Sequence, residues 1–206
     1  LEMGVNLSEL PAILGRDIRY ADLFATAFGD PQITNDRISR ALAQFLRSMV
    51  SFRSKYDEGL SHAHASSDDF SNFTPQENRG KALFLRNCSL CHLPEHQDAH
   101  FIMIEPVNTG LDDDTEHTDG GVGDITLAPR DMGHFKSPSL RNVAVGGPYM
   151  HNGYFKTLRG VLDFYNTRDV LPRCQPGDAG EGTTCWPTPE STANMNTSRV
   201  GRLGLS

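Results

Sequence analysis

The stretch "RNCSLCHLPEH", residues 86–96, places two cysteines and a histidine within five positions. A Cys-x-x-Cys pair occurs in redox dithiols, in zinc sites and where haem c is attached to a protein. A histidine directly after the second cysteine is typical of haem c, because this group needs two thioether bonds and an imidazole ligand to its iron. Cys88, Cys91 and His92 are therefore predicted to hold a haem c.

Three other interpretations of the cysteine pair are weaker. A zinc site needs two further ligands, and the remaining cysteines, Cys174 and Cys185, have no partnering pair of histidines. A thioredoxin-like dithiol follows a strand and precedes a helix, whereas here a helix is predicted before the motif. Two buried cysteines that fall beside a histidine by chance are the third interpretation, in a chain with four cysteines in total.

The composition of the 206 residues is that of an ordinary globular protein, with 37% hydrophobic and 22% charged residues. The formal net charge of -7 argues against nucleic acid as a partner. No apolar run approaches the roughly eighteen residues that a membrane-spanning helix needs. We therefore expect an acidic protein without a membrane span.

Haem c implies a periplasmic location, because bacteria attach this group on the outer side of the cytoplasmic membrane. Disulfides persist in that compartment, so Cys174 and Cys185 are expected to form one, with two free thiols as the alternative. The chain begins with "LEMGV" and ends with "RLGLS". We expect a fragment whose export signal was removed or lies outside this sequence.

Helical patterns surround the haem motif. Apolar residues at helical spacing predict an amphipathic helix from Thr34 to Phe52, with Thr34 or Asn35 as its N-cap. Residues 60–72 are polar and are expected to form a linker. Thr74 and Glu77 then predict a capping box that opens the helix leading into the motif.

The second half of the chain contains fewer patterns that predict secondary structure. Residues 105–124 are acidic and rich in glycine, which indicates a surface loop. Thr157 is expected to cap a short helix. One face of that helix carries four residues, Leu158, Val161, Leu162 and Tyr165. Strand signals are nearly absent, which favours an all-α fold.

Residues 134–166, "HFKSPSLRNVAVGGPYMHNGYFKTLRGVLDFYN", closely resemble the C-terminal haem domain of bacterial di-haem cytochrome c peroxidases and MauG-like proteins. Residues 28–59 resemble the segment that connects the two haem domains of that family. The resemblance covers essentially the whole chain. It implies an all-α fold in which residues 73–206 form a cytochrome c-like haem domain with long loops. Residues 1–72 would then be a helical remnant of the first haem domain together with the connecting segment.

The family carries an earlier Cys-x-x-Cys-His motif that this chain lacks. The resemblance therefore implies that a second, peroxide-reacting haem comes from sequence outside the chain. "LEMG" at the start resembles a family loop whose glutamate lines the open face of that haem, which gives Glu2 a role in proton transfer during O–O cleavage. A surface glutamate at a chain end is the alternative.

Tyr165 occupies the position where the family places the sixth ligand of the second haem, a methionine in peroxidases and a tyrosine in MauG-like proteins. A phenolate stabilises ferric iron, whereas a thioether favours ferrous iron. The spacing alone would favour a core tyrosine. Four methionines remain as competing donors, with Met132 the first to check: Met103, Met132, Met150 and Met195.

Four further residues have candidate roles, some of them implied by the resemblance. Gly146 and Pro148 fall where the family offers backbone carbonyls to a calcium ion. Arg141 is expected to pair with a haem propionate, and a structural salt bridge is equally compatible with the sequence. His151 lies either on the path between the haems or in a structural hydrogen bond.

Two functions follow from these assignments. The first is a periplasmic di-haem peroxidase or MauG-like oxidase, in which the haem on His92 relays or stores oxidising equivalents. Its partners would be the N-terminal haem-bearing portion or chain, and a redox partner protein or protein substrate, with a homodimer left open. The second is a mono-haem electron-transfer protein without catalysis of its own.

Overall fold

The computed structural model describes residues 6–94, 105–111 and 119–205. The chain divides into two compact units, Leu1–Phe52 and Arg53–Ser206. The division at residue 73 that the resemblance implies concerns the haem domains of a longer protein and stays a prediction. The α-helices of the described residues are α1 (Leu10–Leu14), α2 (Ile18–Phe28), α3 (Asn35–Ser48), α4 (Lys55–Ser61), α5 (Pro75–Asn87), α6 (Val122–Thr126) and α7 (Leu158–Thr167).

Local capping sets the bounds of the helices in the first unit. The Asp17 side chain accepts a hydrogen bond from a backbone N–H in the first turn of α2, and Gly29 ends that helix in the left-handed region with a φ of 91°. Thr34 caps α3, as the sequence predicts. The helix ends at Ser48, however, and therefore stops short of the predicted Phe52.

Phe24 and Ile38 are the buried apolar residues of the first unit among those described. Phe24 packs on Phe28, and the Arg37 guanidinium lies over the Phe28 ring while pairing with Asp30. The apolar stripe predicted for α3 is present, but most of it is exposed. The predicted stripe consists of Ile38, Leu42, Phe45, Met49 and Phe52, and all but Ile38 are exposed.

Capping boxes begin the first two helices of the second unit. Ser54 and Asp57 form one at the start of α4. Thr74 and Glu77 form the other at the start of α5, where Pro75 takes the first helical position. This second box confirms the prediction and fixes where the helix that carries the haem motif begins.

The polar segment between α4 and α5 is packed rather than loose. Phe70 is 1% exposed, and its backbone exchanges hydrogen bonds with the Asn78 side chain. The Lys81 ammonium donates to the carbonyls of Ser66 and Asp68, at 2.6 and 2.7 Å, and lies over the Phe70 ring. The expected linker is therefore irregular in backbone but fixed onto α5 by buried contacts.

The main core lies around α7. Phe164 packs with Trp186, Phe155 and Leu111, all of them buried. Thr157 caps the helix by accepting from the Gly160 N–H, as predicted. The predicted apolar face is wrong in part, because Leu162 is 47% exposed and Phe164, which the pattern omitted, is 3% exposed. The buried face of the helix is therefore rotated away from the expected stripe.

The disulfide between Cys174 and Cys185 is present and confirms the prediction. Among the described residues, extended backbone pairs only as isolated bridges, such as the one between Val107 and Phe135, so the all-α expectation is confirmed. None of the described helices combines the length and the apolar character that crossing a membrane requires.

Candidate functional site

The end of α5 places the Cys-x-x-Cys-His motif. Cys88 is the C-cap, and its N–H donates to the Phe84 carbonyl at 2.7 Å. The N–H groups of Cys91 and His92 both donate to the Cys88 carbonyl, at 3.1 and 2.9 Å. This turn brings the two cysteines and the histidine to one surface at the end of the helix.

The two cysteine side chains are partly buried and are not joined to each other. Burial raises the pKa of both thiols above the ordinary value. Thioether formation needs two thiols that are not consumed by a disulfide, and Cys88 and Cys91 meet that requirement.

Tyr165 projects from α7 and lines the same cavity as Cys88, Cys91 and His92. Its hydroxyl donates to the Met150 sulfur at 3.8 Å. Burial, and then the charges of the two nearby thiols, raise the pKa of Tyr165 to about 12. The phenol is therefore protonated at neutral pH unless a cation lies against it.

The cavity has a volume of about 60 Å³ and is partly open to solvent. Its walls are mainly apolar and include Leu90, Val107, Val200 and Leu203. Two thiols, an imidazole and a phenol around an apolar cavity form a donor set that fits a covalently attached haem.

Arg168, one turn after Tyr165, donates hydrogen bonds to residues in the walls of this cavity. The residue is 0% exposed, and its guanidinium donates to the carbonyls of Thr109, Asn196 and Val200. All three acceptors belong to residues that line the cavity. The Asp169 carboxylate balances the positive charge of this guanidinium, and its oxygen lies 2.6 Å from the nearest guanidinium nitrogen. No pattern in the sequence indicates this role, because arginines are mostly exposed.

Arg141 and His151 do not line the cavity that contains His92. Arg141 donates to both carboxylate oxygens of Asp57, at 2.9 and 2.8 Å, so the structural salt bridge that the sequence allows is present. His151 stacks on Phe135 with ring centroids 3.7 Å apart, and its Nε2 lies 3.2 Å from Glu190. Their assignments to the haem or to the path between haems remain untested predictions.

The methionines that compete with Tyr165 as iron donors differ in where they lie relative to the cavity. Met150 contacts the Tyr165 hydroxyl. Met132 packs against Gly120 and Gly123 and does not line the cavity, and Met195 packs against Gly110. Met103 lies outside the described residues.

Two further predicted sites receive no test from the structure. Gly146 follows a short 3-10 helix, Val143–Val145, and a cis peptide bond joins Gly147 to Pro148. The calcium role of the Gly146 and Pro148 carbonyls stays a prediction. Glu2, the predicted proton-transfer residue, lies outside the described residues.

Comparison with known proteins supports the haem c assignment made from this geometry. The sequence model of the family described as "Di-haem cytochrome c peroxidase" matches residues 1–65. Methylamine utilization protein MauG of Paracoccus denitrificans is 34% identical over 212 residues, which cover 90% of this chain and 52% of that protein. The chain belongs to the di-haem cytochrome c peroxidase and MauG family.

Two other members extend the comparison. Cytochrome-c peroxidase IdrP1 of Pseudomonas sp. strain SCT is 32% identical, over 71% of this chain and 45% of the relative. The crystal structure of a MauG-like protein associated with microbial copper homeostasis matches this chain with a TM-score of 0.68 and 27% sequence identity. The match covers 98% of this chain and 58% of the MauG-like protein. The chain thus has the all-α, cytochrome c-like fold of the di-haem family. It spans about half the length of the curated relatives that it matches.

Proposed function

We propose that this chain is part of a di-haem c peroxidase or MauG-like peroxide-dependent oxidase. The observation that supports this proposal most strongly is that Cys88, Cys91, His92 and Tyr165 line one cavity. Residues from two distant parts of the chain converge there, and they would supply two thiols for covalent attachment and an imidazole and a phenol as iron donors to a haem c.

Bound haem c supplies one-electron chemistry, and the residues of this chain set how the group is held and tuned. Cys88 and Cys91 would anchor the group covalently. His92 would hold its iron through an imidazole nitrogen and Tyr165 through the phenol oxygen, whose proton is lost more easily beside a cation. An anionic oxygen donor would favour the ferric state, so a haem held here would relay or store oxidising equivalents.

The surrounding residues make the walls of this site apolar and hold them in place. Leu90, Val107, Val200 and Leu203 form apolar walls that limit the access of water. Arg168 ties two wall segments, at Thr109 and at residues 196–200, to α7 through the three carbonyls that it binds. Apolar walls held in this way would limit the contact of a bound haem with water.

The peroxide-reacting haem of the complete protein is proposed to come from sequence outside this chain. Glu2 would lie on its open face and move a proton between the peroxide oxygens. Residues 1–72 would complete that first haem domain and connect it to residues 73–206. The carbonyls of Gly146 and Pro148 would contribute to a calcium site, because carbonyl oxygens suit a hard cation.

Location and partners follow from the same proposal. Covalent haem attachment and the Cys174–Cys185 disulfide both suit the periplasm. A redox partner protein or a protein substrate would exchange electrons with the haem on His92, and the complete enzyme is compatible with a homodimer.

The test is a haem count with a peroxide titration on the complete protein. A pyridine haemochrome assay should give two haems per polypeptide, and hydrogen peroxide should change the visible spectrum. One haem per polypeptide without any peroxide-dependent change would contradict the proposal and favour a mono-haem electron-transfer protein.

A further inference from the structure

Trp186, the single tryptophan of the sequence, lies in the core of the second unit and is 1% exposed. It does not line the cavity that contains His92 and Tyr165. Its indole ring packs edge-on against Phe164, with ring centroids 5.1 Å apart and an interplanar angle of 83°. Because Phe164 directly precedes Tyr165 on α7, a residue outside the cavity contacts the neighbour of the proposed iron donor.

The indole N–H of Trp186 makes a second contact with α7. It donates to the Thr167 hydroxyl oxygen at 2.9 Å. That hydroxyl in turn donates to the Asp163 carbonyl, one turn earlier, at 2.6 Å. A buried indole N–H usually has an acceptor, and the Thr167 hydroxyl is the acceptor here. One side chain therefore holds α7 both through a ring contact and through a hydrogen bond.

The two contacts lie on one face of α7, because Phe164 and Thr167 are three positions apart. Tyr165 follows Phe164 and projects about 100° further around the helix axis. The contacts with Trp186 therefore restrict the rotation of α7 about its axis, and with it the direction of the phenol. A functional donor must be held within about 0.5 Å and 10–20° of its productive geometry by the residues that pack around it.

Other hydrogen bonds hold the same turn of α7 to the C-terminal segment. The Gly201 N–H donates to the Tyr165 carbonyl at 2.6 Å. The Asn166 side chain exchanges two hydrogen bonds with the Leu205 backbone, both at 2.8 Å. These bonds keep the end of α7 attached, so loss of the Trp186 contact should redirect Tyr165 without releasing the helix from the core.

We propose that Trp186 is a positioning residue, which sets the rotation of α7 and so aims the Tyr165 oxygen at the iron of the haem bound at His92. This inference rests on the proposed function, since it requires Tyr165 to be an iron donor. Trp186 acts only through α7, because it lies outside the cavity. No sequence motif marks this role.

The reduction potential of the haem reports on this positioning. An anionic oxygen donor favours ferric iron, so a phenol that is poorly aimed stabilises the ferric state less and the potential rises. The ferric absorption spectrum should shift in the same direction as in Tyr165→Phe. A contribution of Trp186 to stability alone would lower the free energy of unfolding and leave the potential of the folded protein unchanged.

The experiment compares Thr167→Val, Thr167→Ser and Trp186→Phe in the complete holoprotein. Thr167→Val keeps the size of the side chain and removes the acceptor of the indole N–H, whereas Thr167→Ser retains a hydroxyl. Trp186→Phe keeps an aromatic ring and removes the donor. Thr126→Val is the matched control, because the Thr126 hydroxyl donates to Asp131 at 2.8 Å and Thr126 does not line the cavity.

Potentiometric titrations and ferric spectra follow the haem bound at His92. Thr167→Val and Trp186→Phe should each raise the potential, whereas Thr167→Ser and Thr126→Val should keep it close to the wild-type value. Both single changes remove the same hydrogen bond, so their effects should not add. The double variant should therefore shift the potential little more than the larger of the two single shifts. Thr167→Val decides the test if Trp186→Phe does not fold.

Potentials in Thr167→Val and Trp186→Phe equal to that of Thr126→Val would overturn the inference, and so would fully additive shifts in the double variant. Peroxide titration of the wild-type protein separates this result from a failure of the proposed function. Retained peroxide reactivity without a shift in potential rejects the role of Trp186 alone. The expected shifts without peroxide reactivity support that role and reject the peroxidase proposal. A protein without haem at Cys88 and Cys91 rejects both.

Discussion

Tyr165 and His92 line the same cavity, although one lies on α7 and the other closely follows α5. Arg168, at the end of α7, binds the carbonyls of three residues in the walls of that cavity. The position of the tyrosine beside the haem motif is therefore built into the fold of the second unit. It does not follow from the local sequence of either helix.

Replacing Tyr165→Phe should change the ferric absorption spectrum of the haem bound at His92. The substitution removes the oxygen donor and keeps the aromatic ring, so water or no ligand takes its place. The thioether bonds at Cys88 and Cys91 should persist, which haem staining of a denaturing gel will show. Tyr149→Phe is the matched control, because the Tyr149 hydroxyl donates to the Val143 carbonyl and Tyr149 does not line the cavity.

An unchanged ferric spectrum in Tyr165→Phe would show that another donor occupies the iron. Met150 is then the first candidate, because its sulfur contacts the Tyr165 hydroxyl. Tyr165→Met should raise the reduction potential, since a thioether favours ferrous iron relative to a phenolate.

Asp57→Asn should destabilise the second unit by about 1.5–3 kcal/mol, the range for hydrogen bonds to charged groups. Hydrogen bonds from Arg141 and then from Ser54 hold the pKa of Asp57 well below its usual value. A carboxylate with a lowered folded pKa contributes stability above its unfolded pKa, near about 3.9, and loses it as the pH falls further. The difference between wild type and variant, measured by urea unfolding, should be constant above about pH 5 and shrink below about pH 4.

Lys55→Met is the control for this experiment. Lys55 pairs with Glu77 on the surface, where both side chains are more than a third exposed, so the loss should stay under about 1 kcal/mol. A loss in Asp57→Asn no larger than in Lys55→Met would contradict the structural importance assigned to the Asp57–Arg141 pair.

Cys174→Ser together with Cys185→Ser removes the disulfide and should lower the free energy of unfolding by about 2–3 kcal/mol. The reason is that the disulfide closes a short loop and so reduces the entropy of the unfolded chain. The haem motif should be unaffected, because these cysteines do not line its cavity. Denaturant unfolding measures the change, and haem staining provides the control. Alkylation of both cysteines in the wild-type protein without prior reduction would show that the bond is absent.

The sequence predicts the capped starts of the helices well, because the signals are local. Thr34, Thr74 and Thr157 each cap the helix that follows, as expected. The Cys88–His92 motif is equally clear, since its chemistry lies within five consecutive positions. The ends of helices are harder to predict. The helix α3 stops at Ser48, although the apolar spacing continues to Phe52 and no glycine or proline marks its last turn.

Tertiary contacts account for what the sequence does not predict. Phe164, rather than Leu162, faces the core, because Trp186 and Phe155 come from other segments and select that side of α7. Residues 60–72 resemble a linker in composition, yet contacts with Lys81 fix them onto α5.

The role of Arg168 depends on contacts between distant segments in the same way. It arises only when residues 196–200 fold over the cavity. No periodicity or motif in the sequence marks that contact, so the role of Arg168 is not predictable from the sequence.

The most direct test of the central claim is the mass of the peptide that contains residues 86–96, isolated from the complete protein under denaturing conditions. We predict that this peptide carries one haem, joined through Cys88 and Cys91, because thioether bonds survive denaturation. A peptide of unmodified mass, with both thiols open to alkylation, would contradict the assignment of the cavity as a haem c site.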